Sequence, residues 1–169
     1  MKAEIISAKA VRFIDAYSFR HVMLAEDIDY CRIERNDEKL EYFVKSRNPL
    51  YDVGVDHDTY SLLLKTMMKE CINPSTKKIS LKRIKKGLKE IKFSDIHGKE
   101  NTVLVESIHC LIIQKYDKKL RYFANISKKG LYLIELNFEN YNILFAALKA
   151  VANSKELENG KNKEKKEKK

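Results

Sequence analysis

The chain has 169 residues, 44% of them apolar, and only 5 Gly and 2 Pro, which suits one substantial domain and excludes a loop-dominated polymer. Its net charge of +10 points to a polyanionic partner, and no apolar run is long enough to span a bilayer. Cys31, Cys71 and Cys110 have no metal-type spacing, and the start MKAEIISAKAVRF lacks a signal-peptide core. The expectation is an intracellular, cytoplasmic or nucleoid-associated protein with its thiols buried as small apolar groups.

In chain order, strands are expected near residues 3–15, 18–35, 39–46 and 50–55. Asp56 then stands as a helix cap, before an apolar stripe of Tyr60, Leu63, Leu64, Met67 and Cys71. The stretch 72–92 carries Lys77, Lys78, Lys82, Arg83, Lys85, Lys86, Lys89 and Lys92 against one acid, Glu90. Leu81, Ile84, Leu88 and Ile91 fit a helical face with Ser80 as cap. Gly87 weakens that helix, so a short helix and an extended segment both stay open.

Residues 88–97 read as the next strand, with a turn at 98–101. Residues 102–116 (TVLVESIHCLIIQKY) are rich in Val and Ile and long enough for one bent strand. Turns at 117–119 and 128–130 then set off strands 120–127 and 131–136, with Gly130 supplying positive φ. Asn137 caps a helix whose stripe is Phe138, Tyr141, Leu144, Phe145, Leu148 and Ala152. Residues 154–169, almost all Lys, Glu and Asn, read as a disordered tail.

The chain also contains itself twice. Cys31, Asp37, Leu40, Tyr42 and Phe43 answer Cys110, Asp117, Leu120, Tyr122 and Phe123. Ser46, Leu50, Tyr51, Tyr60 and Leu63 answer Ser127, Leu131, Tyr132, Tyr141 and Leu144, and the offset grows from 79 to 81. Such a period sets the architecture before any single residue is argued. It predicts an α+β fold of two pseudo-symmetric β-β-β-β-α repeats, with antiparallel sheets packed against helices. Residues 1–153 would form a single domain: repeat one at 1–71, a basic linker at 72–92 and repeat two at 88–153.

Alternation in the third strand of each repeat places Leu40, Tyr42 and Val44, and Leu120, Tyr122, Ala124 and Ile126, beneath the helices. Glu41, Phe43 and Lys45, and Arg121, Phe123 and Asn125, face the other way. Phe43 and Phe123 thus stand beside cations, as base-stacking platforms or as packing against the other repeat or another subunit. Charge is unevenly shared: net −2 over residues 1–71, +9 over 72–154 and +3 over 155–169.

No catalytic signature appears. His21, His57, His97 and His109 are scattered, and Asp56-His57-Asp58 coincides with a helix cap, where Asp is expected anyway. No phosphate-binding glycine loop, zinc-helix motif or nucleophile elbow is present. The chain is read as a non-enzyme with no cofactor and no metal.

Two β-β-β-β-α units in a chain of this length resemble the Whirly, Pur-alpha and positive-cofactor-four group of single-stranded nucleic-acid binders. The residue likeness is carried by 130–151 (GLYLIELNFENYNILFAALKAV), similar to the last strand and helix of Whirly proteins. The resemblance implies a curved sheet, helices packing the core and oligomerisation.

The leading expectation is a single-stranded DNA- or RNA-binding protein of low sequence selectivity that forms a homo-oligomer and has no membrane partner. Phosphates would lie on Lys82, Arg83, Lys85, Lys86, Lys89, Lys115, Lys118, Lys119 and Arg121, while Phe123 and Phe43 would stack bases. The alternative is a protein-interaction or assembly module without a nucleic-acid role. A third reading is a clamp-like or TATA-binding-like duplicated fold on duplex DNA.

Overall fold

Backbone hydrogen bonds pair strands edge to edge, and alternating apolar residues give the sheet one face to be buried under helices. A computed structural model describes residues 3–7, 9–37, 39–47, 52–72, 89–126 and 133–166, with side chains as far as residue 152. Among these are eleven strands in antiparallel sheets and two α-helices, an α+β fold. Strands β1 (Glu4–Ser7), β2 (Ala10–Ile14) and β3 (Arg20–Leu24) form one small sheet; β7 (Glu90–Ser94) and β8 (Glu100–Leu104) form another. The principal sheet has six strands. Its members are β4 (Ile28–Asn36), β5 (Lys39–Ser46), β6 (Asp52–Val55), β9 (Cys110–Tyr116), β10 (Lys119–Asn125) and β11 (Leu133–Leu136), in the order β11-β10-β9-β4-β5-β6. Helices α1 (His57–Lys69) and α2 (Phe138–Lys166) follow β6 and β11.

The strand count departs from four per half. Residues 3–15 form two strands rather than one. Spans 18–35 and 102–116 are each broken by a 3-10 turn, Ala25–Asp27 and Val105–Ser107. Buried Ala25 and Val105 plug these breaks, and their N–H groups donate to Lys9 O at 2.7 Å and Lys89 O at 2.9 Å. The breaks fall on Ala25-Glu26-Asp27 and beside Glu106, residue types depleted in strands, and there the two ends pass to different sheets.

Aspartate closes both small hairpins. Asp15 Oδ1 accepts the N–H groups of Tyr17 (2.8 Å) and Phe19 (2.9 Å), while Asp95 Oδ1 accepts those of His97 and Lys99, both at 2.9 Å. Ser18 and Gly98 take the left-handed backbone these turns need, with φ of 71° and 79°. The turns dock on the edges of the large sheet: Ala16 N donates to Gly54 O at 2.9 Å, and Ile96 N to Glu135 O at 3.1 Å.

The helix stripes meet the apolar face of the six-stranded sheet. Tyr42 packs between His57 and Tyr60, and Tyr122 between Phe138 and Tyr141. Leu63, Met67, Leu144 and Leu148 are fully buried with Cys31, Val44, Leu111 and Ala124. Each large side chain buried here contributes roughly 2 kcal/mol. The expected inward set, Leu40, Tyr42, Val44, Leu120, Tyr122, Ala124 and Ile126, joins this core.

β4 and β9 seam the two halves, pairing Tyr30 with Gln114, Arg32 with Ile112 and Glu34 with Cys110. This register corrects one equivalence read from the sequence. Cys31 pairs with Val44 and Ile113 on the helix side, whereas Cys110 pairs with Glu34 and Asn125 on the other face. A one-residue shift in a strand reverses the face. Backbone helix in α2 continues to Lys166, through most of the span read as a disordered tail.

Candidate nucleic-acid interface

The face of the large sheet away from the helices is built by strand alternation alone. One row crosses all six strands: Glu135, Phe123, Ile112, Arg32, Phe43 and Gly54. The next holds Arg121, Gln114, Tyr30, Lys45 and Asp52. Phe43 and Phe123 therefore occupy the expected face, but each half-buried ring already carries a guanidinium. Arg32 lies 4.6 Å from the Phe43 centroid and Arg121 5.1 Å from that of Phe123.

The two arginines differ in accessibility. Arg32, with its side chain 24% exposed, is held by Asp52 at 2.9 Å and Glu34 at 3.2 Å. Tyr30 donates to Asp52 at 2.7 Å; burial first, then that carboxylate, pushes the phenol up to about 12. His109 lies 3.2 Å from Glu34, and Asp52 and Glu34 leave no excess positive charge at Arg32 in the first half of the chain. Arg121, 42% exposed, donates Nε–H and Nη2–H to the two oxygens of Glu135, both at 2.8 Å. Those bonds hold the Glu135 carboxyl below its usual range and push the guanidinium up.

Arg121 also lies 5.9 Å from the ring of Tyr116, which is 63% exposed at the end of β9. The turn Asp117–Lys118 follows, both residues at positive φ (47° and 57°), and Lys118 and Lys119 are exposed without an ion-pair partner among the described residues. On one side of Tyr116 opens a concavity of about 390 Å³ walled by Ile96, Leu120, Arg121, Glu135 and Phe138. On its other side a polar groove of about 670 Å³ is lined by Asp29, Tyr30, Lys45, Arg47 and Lys115.

Lys118, Lys119, Arg121 and Phe123 thus come together, and Phe43 lies across the same face. Lys115 does not join them. It pairs with Leu120 on the helix side, and its ammonium donates to the carbonyls of Ala25 and Glu26, both at 2.9 Å; burial holds its pKa below the usual value. Lys89 is exposed just before β7, at the end of that hairpin away from Ile96. Lys82, Arg83, Lys85 and Lys86 lie outside the described residues.

Tyr116 and Ile96 escaped the sequence reading. Tyr116 falls on the Ile112–Gln114 side of its strand, so alternation extended to the strand end would have found it. Ile96 is an apolar residue inside a turn, a weaker signal. Exposed aromatics also crown the first hairpin: Tyr17 and Phe19, with Val22 and Leu24 on β3, stand where the second hairpin has His97, Lys99, Thr102 and Leu104.

Among the described residues, no group of three His, Cys, Asp or Glu is placed to hold a metal, and no helix is long and apolar enough to cross a membrane. No family model, curated protein or solved structure matches the chain.

Proposed function

We propose that this protein is a non-enzymatic binder of single-stranded DNA or RNA with low sequence selectivity. One observation carries the reading: the exposed Tyr116 ring stands beside Arg121, which Glu135 holds in place, and beside Lys118 and Lys119, which have no ion-pair partner among the described residues. Stacking on an aromatic face tolerates any base, and lysines beside it neutralise phosphate and release counterions. The interface then centres on Tyr116 and the end of the β9–β10 hairpin, with Phe123 behind it. Phe43, covered by the ion-paired Arg32, contributes least.

The two halves are read as pseudo-symmetric repeats, as the Whirly and Pur-alpha resemblance implies. Matched contacts support this: the Asp15 and Asp95 turns, and the Ala16–Gly54 and Ile96–Glu135 bonds, recur at offsets of 80 or 81 residues. The basic linker, with Lys82, Arg83, Lys85 and Lys86, would extend the phosphate track.

Fluorescence competition of oligo-dT against duplex DNA and RNA at near-physiological salt tests the reading. Micromolar or tighter binding that prefers single strands is expected, and no binding under those conditions sinks it. A second reading, an assembly module, is favoured by the exposed apolar strip of Tyr17, Phe19, Val22 and Leu24. Light scattering decides it: an oligomer that Phe19→Asp dissociates, with no affinity for oligo-dT, would replace the first reading.

A further inference from the structure

We infer that the concavity beside Tyr116 receives one extruded base of the bound strand, an inference that rests on the single-strand reading above. Its volume of about 390 Å³ lies at the small end of ligand sites and leaves room for a planar heterocycle. Its walls are mainly apolar: Ile96, Tyr116, Leu120, Leu136 and Phe138. The charges that line it, Lys119 and Arg121 against Asp117 and Glu135, cancel. A neutral apolar cleft suits an uncharged ring better than a phosphate.

The cleft is also preformed. Ile96 N donates to Glu135 O, fixing the wall opposite Tyr116, and Glu135 fixes Arg121 through two bonds. Arg121 retains Nη1–H donors and Glu135 retains lone pairs, so the fork offers both donor and acceptor to a base edge without selecting one base. A ring stacked on Tyr116 would lose little further entropy there.

Charge complementarity places the rest of the strand. Lys119 lines the cleft and Lys118 precedes it in the turn, and across Tyr116 the polar groove presents Lys45, with Arg47 there paired to Asp29. Tyr116 is the ridge between an apolar base cleft and a polar groove for the sugar–phosphate chain. Matched positions in the first half carry Asn36, Ala16, Glu41 and Gly54 in place of Tyr116, Ile96, Arg121 and Glu135. That side has neither ridge nor fork, so one base is taken per chain.

The test compares oligo-dT with an oligonucleotide of equal length and phosphate number whose residues are abasic. Wild-type protein should bind oligo-dT at least tenfold more tightly. The charge-neutral Ile96→Ala and Tyr116→Ala variants, both at exposed positions and checked for an unchanged melting temperature, should each weaken oligo-dT severalfold and leave the abasic affinity unaltered. Tyr17→Ala, on the other hairpin, should change neither. Equal wild-type affinity for the two strands, or variants that weaken both alike or neither, overturns the base cleft while leaving a phosphate-binding protein. Failure of wild-type protein to bind either strand overturns the single-strand reading itself.

Discussion

Asp15 shows how much one side chain can carry. It is buried, accepts two backbone N–H groups and meets His21 Nε2 at 2.7 Å, while His21 stacks on Phe13. Burial alone would raise its carboxyl pKa, but the bonds from His21, Phe19 and Tyr17 outweigh burial and hold it below the usual value. Asp15→Ala orphans those donors and should cost about 2 kcal/mol in urea unfolding at pH 7. A depressed folded pKa means the stabilisation is complete above the unfolded carboxyl value, near pH 3.9, and fades as pH falls through the folded one. The gap between wild type and variant should therefore be constant from pH 7 to about 5 and narrow towards pH 3. A gap that widens on acidification would mean that Asp15 is protonated in the native state. Asp95 makes the same turn nearer solvent, so Asp95→Ala should be milder. Neither aspartate was legible as a turn-former, because an Asp among strand residues reads simply as polar surface.

Helix entry, by contrast, was legible. Asp56 Oδ1 accepts Thr59 N–H at 2.7 Å and Asn137 Oδ1 accepts Asn140 N–H at 2.8 Å, the roles their positions before the apolar stripes predict. Asp56→Ala should cost about 1 kcal/mol, measured by urea titration; a change within error would remove the cap from the account. At the sheet edge, a Cβ on Gly54 would meet Ala16 Cβ at 3.6 Å and Phe43 Cε1 at 3.7 Å, ordinary contacts. Gly54→Ala should hold or raise stability by up to about 1 kcal/mol through the unfolded chain, and a lower melting temperature would refute this. The 3-10 breaks at Ala25 and Val105 left a weaker signal, the strand-poor acidic residues Glu26, Asp27 and Glu106. Each break is dictated by which sheet its far end must join, and that partner lies many residues away.

Across the whole molecule, charge divides with the sequence. In the first half, Arg12, Arg32 and Arg47 each face a carboxylate within 3.0, 2.9 and 3.1 Å, whereas Lys118 and Lys119 stand exposed on the second. If phosphates bind where the cations are free, Lys118→Gln with Lys119→Gln should reduce the slope of log K against log salt by about 1 to 2 for single-stranded DNA. Replacing Lys82, Arg83, Lys85 and Lys86 together should flatten it further. An unchanged slope in either set removes those residues from the interface. The same comparison made with Arg32→Gln should leave the slope alone, since Asp52 and Glu34 already neutralise that charge.

The amino-acid sequence by itself determined what depends on neighbours along the chain: element type for most strands, both helix caps, the inward stripes and the face on which Phe43 and Phe123 stand. Periodicity and capping are local, so they survive without knowledge of partners. Only the tertiary structure decided what depends on register between β4 and β9, whose paired residues lie some 80 positions apart. That pairing sets Arg32 against Ile112 and Glu34 against Cys110, and leaves Cys31 and Cys110 on opposite faces. Packing against the 3-10 turn at Ala25 draws Lys115 away to its carbonyls, and docking of the second hairpin sets Ile96 across from Tyr116. A side chain's partners are fixed by pairing across distance, and no local pattern encodes them.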